Sequence, residues 1–563
     1  MSEDHRQTGA EALLTGLKRA GVEWLFANAG TDFPPVIEAL AGGDPASMPI
    51  PVTIPHESAA VAMAHGVYLV TGRPQAVMVH VNVGLANAVM GVINAASDNV
   101  PMLVMSGRTP LTERARAGCR MSPIQYGQEM FDQTSLVRDM VKYNYELRYP
   151  EQGGMLVDRA LSLARSEPCG PVYLSLPKEP LSDVLPHGSD PGYPPTPPTT
   201  PAMPDPGAVV QAAEWLGAAQ RPVLLCQRGD VAGHLSGVVS ELAQKHGIAV
   251  HEPFTIRNLL PASVPCLQGY GPGGTKDADL VIVLDSGVPW IEALETPAPD
   301  ARVIHIGPDP HFNRMPVRSY RSDLAIAGDP VATIQALIGA SKANSGAPDR
   351  LNRLRTAHAK AQATRQEKAT QGATSPMSAE WISHCVGQIM DPDAVAFSEL
   401  GLLPGFLNLQ GPNRHFNNVH AGGLGWALPA ALGAQLARPG KLTIACMGDG
   451  SYMFSNPVAC HQIAEAVGLP VLTIVKNNGL WNAVRRSVID GYPGGAAARA
   501  NAVPLTGLTP LPDFTAVARA SRGYAERIQD GADLPQALNR ALAMIAEGRP
   551  ALLELVTEVS DTH

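Results

Sequence analysis

The chain has 563 residues, of which 45% are hydrophobic and 17% are charged, so it is long enough to bury several cores. Its net charge of −9 and the lack of a basic stripe argue against a nucleic-acid partner. No apolar run approaches the length of a membrane span, and the seven cysteines form no CxxC pair, so we expect a cytoplasmic protein with no membrane association.

Short apolar runs alternate with longer Ala-rich stretches along the whole chain, which predicts an α/β fold of three domains, each a parallel sheet flanked by helices. A proline-rich linker at 186–206 and a polar linker at 341–378 separate the blocks. We therefore expect domains over 1–185, 207–340 and 379–563. In the first two blocks the predicted strands are 24–26, 76–79, 101–105, 222–226, 280–284 and 302–306.

Two side chains in the first block follow predicted strands. Glu57 comes just after the apolar run 52–55 and is followed by small residues. This is a poor position for a solvated surface charge, which favours a functional role. Alternatively, Glu57 is a glutamate at a helix N-terminus, where the helix macrodipole favours it. His80 ends the run 76–79, where it can shuttle protons near neutral pH, or simply cap the strand against local backbone.

The middle block contains a glycine-rich segment at 269–274. No strand immediately precedes it, and Pro272 interrupts the expected helix start. We therefore predict no nicotinamide site there.

Two polar turns in the last block follow neighbouring apolar runs. Residues 442–447 lead into the first turn, 471–475 lead into the second, and 458–467 between them has helical composition. Both turns should therefore lie at the carboxyl ends of adjacent parallel strands, where open α/β sheets bind ligands. The first turn is Gly448, Asp449, Gly450 and Ser451, and the second is Asn477, Asn478, Gly479 and Leu480.

The oxygens of these turns suit a hard cation. Asp449, the side-chain oxygen of Asn478 and the backbone carbonyl of Leu480 would bind Mg²⁺, with a diphosphate completing the octahedron. The alternative is a pair of Gly/Asn loops in an unrelated α/β domain.

The interval between the turns resembles the cofactor motif of thiamine diphosphate (ThDP) enzymes. Together with Glu57, it makes the whole chain similar to the acetolactate synthase, pyruvate oxidase and benzoylformate decarboxylase superfamily, with residues 421–433 most like the decarboxylase. The resemblance implies three domains in the order pyrimidine-binding, middle and diphosphate-binding. It also implies ThDP and Mg²⁺ as cofactors. The expected assembly is a homodimer with shared active sites, and two such dimers form a homotetramer. FAD is not expected; Arg228 is either a remnant of a flavin site or a surface-loop arginine.

The resemblance also assigns roles to residues. Glu57 would drive the aminopyrimidine to the imino tautomer that removes the thiazolium proton, the carbonyl of Gly422 would accept the cofactor's amino group, and Leu424 would wedge the two rings into a V. Leu424 is alternatively an ordinary core leucine. The turn at 398–401 offers few hydroxyls to the diphosphate. The cofactor-binding set is Glu57, Gly422, Leu424, Gly448, Asp449, Gly450, Ser451 and Asn478.

The catalytic set implied by the resemblance is Glu57, His80, Thr31 and Gln128. Thr31 is alternatively a turn-stabilising residue, and Gln128 a polar helix residue. Three residues after the second turn should border the substrate pocket, and a tryptophan of the middle block should close its opposite side. These four are Trp481, Asn482, Arg486 and Trp290, with Arg486 either pairing a substrate carboxylate or lying on the surface.

The reaction implied is a ThDP- and Mg²⁺-dependent carbon–carbon lyase or carboligase reaction. Its default is non-oxidative decarboxylation of a 2-oxo acid through a ylide and an enamine. The alternative is an acetolactate synthase-like transfer of the acyl carbanion to a second carbonyl. A further alternative is a non-catalytic ThDP-binding partner protein.

Overall fold

The computed structural model describes residues 6–189, 194–418, 420–500 and 502–559. It contains three six-stranded sheets in which neighbouring strands are parallel, so the predicted fold class is confirmed. The chain forms two compact units, the first made of Met1–Thr200 with His420–Arg438 and the second of Pro201–Val419 with Pro439–His563. No helix within the described ranges is both long and apolar enough to cross a lipid bilayer.

The first sheet lies in the first unit and has the strand order β2-β1-β3-β4-β6-β5. Its central strand β3 is buried along its whole length, as expected when helices cover both faces of a parallel sheet. The strands are β1 Trp24–Ala27, β2 Ile50–Thr53, β3 Ala76–Val79, β4 Leu103–Arg108, β5 Asn144–Glu146 and β6 Val172–Pro177. The helices are α1 Gly9–Arg19, α2 Pro34–Gly42, α3 Glu57–Thr71, α4 Val81–Ser97, α5 Ile124–Gly127, α6 Gln152–Arg165 and α7 Lys178–Ser182.

The second sheet has the order β12-β11-β10-β7-β8-β9. Its strands are β7 Pro222–Cys226, β8 Ala249–His251, β9 Leu267–Gly269, β10 Leu280–Leu284, β11 Arg302–Gly307 and β12 Leu324–Ala327. The helices are α8 Pro206–Ala218, α9 His234–His246, α10 Pro330–Ala340 and α11 Ala347–Gln371, the last of which fills most of the polar segment 341–378.

The third sheet has the order β14-β13-β15-β16-β18-β17, which repeats the order of the first sheet. Its strands are β13 Val395–Glu399, β14 His415–Asn417, β15 Thr443–Gly448, β16 Leu472–Asn477, β17 Tyr524–Ile528 and β18 Ala551–Val556. The helices are α12 Ala379–Ile389, α13 Ala427–Ala437, α14 Asp449–Phe454, α15 Pro457–Val467, α16 Asn482–Gly491, α17 Phe514–Ala520 and α18 Leu534–Ala546.

The predicted strands are present. The bounds 76–79, 222–226 and 280–284 are those predicted, whereas the strand predicted at 101–105 occupies Leu103–Arg108. Pro101 lacks the N–H that a central strand must donate, which explains the later start.

Helices α3 and α13 of the first unit approach each other through glycine. A Cβ on Gly66 would lie 1.9 Å from the carbonyl oxygen of Ala430, and a Cβ on Gly433 would lie 2.0 Å from that of Met63. Both positions need glycine, because an added methyl group would collide with backbone that cannot turn away. This close contact packs α13 against α3 within the first unit.

Candidate active site

Polar side chains of the first unit collect where its parallel strands end. The loop containing Asp32 follows β1, Glu57 begins α3 after β2, and His80 follows β3. Strands β2, β1 and β3 are neighbours in the sheet. Their carboxyl ends therefore meet at one edge, which is the ligand-binding edge of α/β sheets.

Glu57 is the first residue of α3, and its neighbour His56 caps the helix by accepting from the backbone N–H of Ser58. The Glu57 side chain is turned inward, with only 9% of the residue exposed. Asn87 Nδ2 donates to Oε2 at 3.2 Å, and a Cβ on Gly84 would lie 3.1 Å from Oε1. The carboxylate therefore packs against α4 instead of extending into solvent.

His80 is paired with a residue that the sequence analysis did not single out. Its Nδ1 lies 2.5 Å from Oδ1 of Asp32, whose Oδ2 accepts from the backbone N–H of Val81 at 3.1 Å. The hydrogen bond to Asp32 raises the pKa of His80 above its ordinary value; burial opposes the rise, and the negative charges of Asp32 and Glu57 add to it. A carboxylate following the glycine of this loop was the available signal for Asp32.

Two glycines make room for the Asp32–His80 pair. A Cβ on Gly30 would lie 2.1 Å from Nδ1 of His80, and a Cβ on Gly107 would lie 1.6 Å from Oδ2 of Asp32. Any larger residue at either position would displace the imidazole or the carboxylate.

Gln128 contacts the other nitrogen of the imidazole, since its Nε2 lies 3.2 Å from Nε2 of His80. When Nδ1–H donates to Asp32 in the neutral ring, Nε2 is left to accept from the Gln128 amide. Thr31, the remaining member of the predicted catalytic set, is exposed in the turn next to Asp32. The structure therefore brings Glu57, His80 and Gln128 together and adds Asp32.

Replacing Asp32 with asparagine is expected to lower the pKa of His80 towards its ordinary value of 6.5. A raised pKa in the folded state gives stability that is complete below about pH 6.5 and is lost as the pH rises through the raised value. The variant should therefore be less stable than the parent by about 2 kcal/mol near pH 6, and by less near pH 9. Urea unfolding at both pH values measures the difference.

The matched control for this prediction is the same substitution in a His80→Gln background. There the pH dependence of the Asp32→Asn effect should disappear, because the titrating partner is gone. An equal loss of stability at both pH values in the parent background would show that Asp32 does not act through His80.

In the second unit, Asp449 joins the ends of β15 and β16. Its Oδ1 accepts from the backbone N–H of Gly450 at 2.7 Å, and its Oδ2 accepts from those of Asn478 at 3.1 Å and Gly479 at 2.7 Å. Burial raises the pKa of Asp449, although these backbone N–H groups oppose the rise. A buried carboxylate of this kind gains stability from a nearby cation.

The asparagine turn after β16 is held by hydrogen bonds within the turn and to the neighbouring strand β18. Gly479 has φ +70°, a left-handed conformation that favours glycine. Asn478 Oδ1 accepts from the N–H of Leu480 at 3.0 Å, and Asn477 Nδ2 donates to Glu554 on β18 at 2.7 Å. The backbone oxygen of Leu480 accepts from the N–H of Asn482 at 2.9 Å.

Family models match three successive stretches of the chain. The thiamine pyrophosphate (TPP) enzyme N-terminal TPP binding domain matches residues 7–136, the central domain of these enzymes matches 209–337, and their C-terminal TPP binding domain matches 401–555. This chain belongs to the thiamine pyrophosphate enzyme family. Its TPP binding domains include Glu57 in the first match and Asp449 and Asn478 in the last.

Known proteins place the chain more finely within the TPP enzymes. It is 27% identical to an acetolactate synthase of Mycobacterium bovis over 95% of this chain and 86% of that protein. It is 25% identical to a benzoylformate decarboxylase of Pseudomonas aeruginosa over 96% of this chain and 97% of the relative. The chain is therefore a ThDP-dependent enzyme of the acetolactate synthase and benzoylformate decarboxylase group.

A solved structure shares the fold. The ThDP-dependent 4-hydroxybenzoylformate decarboxylase of Rhodococcus jostii RHA1 superposes with a TM-score of 0.81 at 22% identity, covering 99% of this chain and all of that one. At this level of identity the likeness describes the architecture alone.

The oxygen donors of the second unit fit the metal expected for a TPP enzyme. The Asp449 carboxylate, Asn478 Oδ1 and the Leu480 carbonyl are hard ligands of the kind that Mg²⁺ prefers. A Cβ on Gly448 would meet nothing within 4 Å, so this turn is open to a phosphate group. The residues present therefore suit a metal-bound diphosphate.

The first diphosphate turn expected at 398–401 is shaped by a buried lysine. Lys476 Nζ donates to the carbonyl oxygen of Gly401 at 2.8 Å, and burial lowers the pKa of this ammonium group. Leu400 has φ +54°, and Ser398 Oγ accepts from the N–H of Leu402. The Ser398 hydroxyl is thus engaged with the turn itself, and Lys476 is a residue that the sequence analysis missed.

The loop of Gly422 and Leu424 is held in the first unit by Asn94. Asn94 Nδ2 donates to the carbonyl of Gly423 at 3.0 Å, and Gly423 N–H donates back to Asn94 Oδ1 at 3.2 Å. Gly422 is exposed with φ +64°, and Leu424 is half-buried. Asn94 lies inside a helix of small residues, so nothing in the sequence near it signals this role.

The residues predicted for the substrate pocket separate into two groups. Trp481 packs its ring against Gly450, where a Cβ would lie 2.1 Å from a ring carbon, and Asn482 and Arg486 lie half-buried at the start of α16. Trp290 is buried in this structure, and its place beside the substrate stays a prediction. Its residue is 0% exposed, its ring packs edge-to-face on Tyr320, and its Nε1 donates to Glu292, so its apolar area is buried within the middle block.

Arg228 is also not the surface arginine offered as one alternative. It is buried, and its guanidinium lies over the ring of Phe312 at 4.9 Å from the centroid. A cation on an aromatic face can be buried at lower cost than an isolated one, which explains this position.

Proposed function

We propose that the chain is a ThDP- and Mg²⁺-dependent carbon–carbon lyase whose default reaction is non-oxidative decarboxylation of a 2-oxo acid. The observation that carries the proposal is the His80–Asp32 pair next to Glu57 at one sheet edge. A raised pKa lets the imidazole hold its second proton to a higher pH, and a decarboxylase needs such a proton donor to release an aldehyde.

The chain's own residues would divide the proton transfers. The Glu57 carboxyl, held by Asn87, would exchange a proton with the cofactor's aminopyrimidine. His80 would carry a second proton, with Asp32 on Nδ1 and Gln128 on Nε2 fixing the plane of its ring. The bound cofactor supplies the electron sink that stabilises the negative charge left when CO₂ departs. Trp481 and Arg486 would limit the size of the substrate and bind its carboxylate.

Product analysis tests this reaction. The purified protein with ThDP and Mg²⁺ is given pyruvate, benzoylformate and a panel of other 2-oxo acids, with CO₂ and all organic products measured. Free aldehyde supports decarboxylation, whereas acetolactate or another 2-hydroxy ketone as the main product would identify an acetolactate synthase-like carboligase. Tight ThDP binding with no CO₂ from any 2-oxo acid would favour a non-catalytic partner protein.

We further propose a homodimer with active sites shared between subunits, assembled as a homotetramer. Glu57 with its neighbours His80 and Asp32 belongs to one compact unit of the chain, and Asp449 with Asn478 belongs to the other. Since the resemblance implies that one cofactor needs both sets of residues, pairing between two chains would supply them.

We also propose a cytoplasmic location, which is consistent with seven free thiols.

Mixing two inactive variants is expected to restore activity if the sites are shared. Glu57→Gln and Asp449→Ala chains are co-expressed with different tags, and mixed dimers are purified through both tags. Each mixed dimer would have one intact site and one doubly altered site, so turnover should reach about half that of the parent. Sites built within one chain predict no recovery, because every chain then carries a defect.

A further inference from the structure

A cavity of about 450 Å³ lies in the second unit between the end of β9, helices α11 and α12, and the turn at 404–406. None of the residues proposed for the active site lines it. The polar side chains that line it and bear on its chemistry are Tyr270, His358, Gln362, Arg365, His384 and Gln388.

The cavity has basic groups and no acidic ones in its wall. One arginine and two histidines line it, with no aspartate or glutamate. Arg365 is half-buried, and it has no hydrogen bond or ion pair with any residue that the structure describes. The wall carries the positive charge of Arg365 and no carboxylate to balance it. Such a wall favours an anionic ligand.

Two buried polar atoms of the wall lack a partner among the described residues. His358 is 7% exposed, and its Nδ1–H donates to the carbonyl of Leu267 at 2.8 Å, but its Nε2 is buried and unpaired. The hydroxyl of Tyr270 is likewise buried and unpaired. Buried polar atoms without partners are costly, so each suggests a group that is absent from the chain itself.

Arg365 and Tyr270 are close to each other. A Cβ on Gly405 would lie 3.4 Å from Cδ of Arg365 and 3.6 Å from a ring carbon of Tyr270, so the two side chains flank this glycine. Glu252, which interacts with Tyr270, is already satisfied, since it accepts from the N–H groups of Leu259 and Leu260.

We propose that this cavity is a binding site for a small oxyanion, the carboxylate or phosphate group of a metabolite-sized ligand. The Arg365 guanidinium would bind two of its oxygens in a fork, the Tyr270 hydroxyl would donate to one of them, and the ligand would also supply a partner for Nε2 of His358. The site is additional to the proposed reaction and does not depend on it.

Calorimetric titration with inorganic phosphate and with acetate tests the proposal. Ionic strength is held constant, and saturating ThDP and Mg²⁺ keep the diphosphate turn filled. We expect the parent to bind at least one of the two anions at millimolar concentration, and Arg365→Gln to weaken that binding about tenfold. Arg353→Gln, an exposed arginine on the same helix, is the matched control and should bind like the parent. The anion that binds identifies the ligand group.

Tyr270→Phe removes only the unpaired hydroxyl, and it should also weaken binding while keeping the fold, as judged by the melting temperature. No heat from either anion up to about 20 mM would overturn the proposal. Equal weakening by Arg365→Gln and Arg353→Gln would also overturn it, because it would indicate general charge attraction instead of a site.

Discussion

Replacing Glu57 with glutamine is expected to lower the rate of CO₂ release from the best 2-oxo acid by about 10³-fold. Glutamine keeps the shape of the side chain, so the packing on Gly84 should survive, but it cannot give up or take a proton at this position. ThDP affinity should fall by less than about tenfold, since the diphosphate and metal contacts lie elsewhere. Steady-state CO₂ release and calorimetric ThDP titration measure the two quantities separately.

The matched control for Glu57 is Glu38→Gln, at an exposed glutamate of α2 in the same unit. That variant should keep both turnover and affinity. If Glu57→Gln retained the turnover of the parent, the proposed proton transfer at this carboxyl would be wrong. A large loss of ThDP affinity with unchanged turnover at saturation would instead assign Glu57 to binding alone.

Replacing Asp449 with alanine is expected to abolish measurable activation by Mg²⁺, with ThDP affinity lowered by at least about 100-fold. The substitution removes the only carboxylate in the predicted ligand set. It leaves the N–H groups of Gly450 and Asn478 without their side-chain acceptor, whereas that of Gly479 keeps its bond to Asn477 Oδ1 at 3.2 Å. The free energy of unfolding without cofactor should fall by about 2 kcal/mol. Trp481, which packs on Gly450, provides a fluorescence signal for the cofactor titration.

Asp513→Ala serves as the control for stability. Asp513 caps α17 in the same unit by accepting from the N–H of Ala516, and its loss should cost about 1 kcal/mol without changing cofactor affinity. If Asp449→Ala bound Mg²⁺ and ThDP as well as Asp513→Ala does, the predicted metal site would be wrong. Asp449→Asn should weaken Mg²⁺ binding less than Asp449→Ala does, since the amide keeps one oxygen ligand but loses the negative charge.

Much of the architecture could be predicted because it depends on local patterns. The buried central strands of a parallel sheet appear as short apolar runs, and the turns at Asp449 and Asn478 follow two such runs directly. The topology then requires the carboxyl ends of neighbouring strands to lie together, which is why these two turns could be placed side by side before the structure was known.

The partners of these residues could not be predicted, because they are distant in the sequence. Asp32 lies 48 positions from His80, and Asn94 lies 329 positions from Gly423. Each was one polar residue among many until the fold brought it to its partner. The burial of Trp290 in the middle block was likewise not evident from the residues next to it in the sequence.

The sequence by itself determined the α/β class, the three parallel sheets and the turns of a ThDP enzyme, because strand periodicity and glycine-rich turns are encoded within a few neighbouring residues. Only the tertiary structure decided that a carboxylate holds His80, that a lysine supports the first diphosphate turn, and that Tyr270, His358 and Arg365 line one acid-free cavity. Those contacts arise from packing between separate elements, where distance in space is independent of distance along the chain.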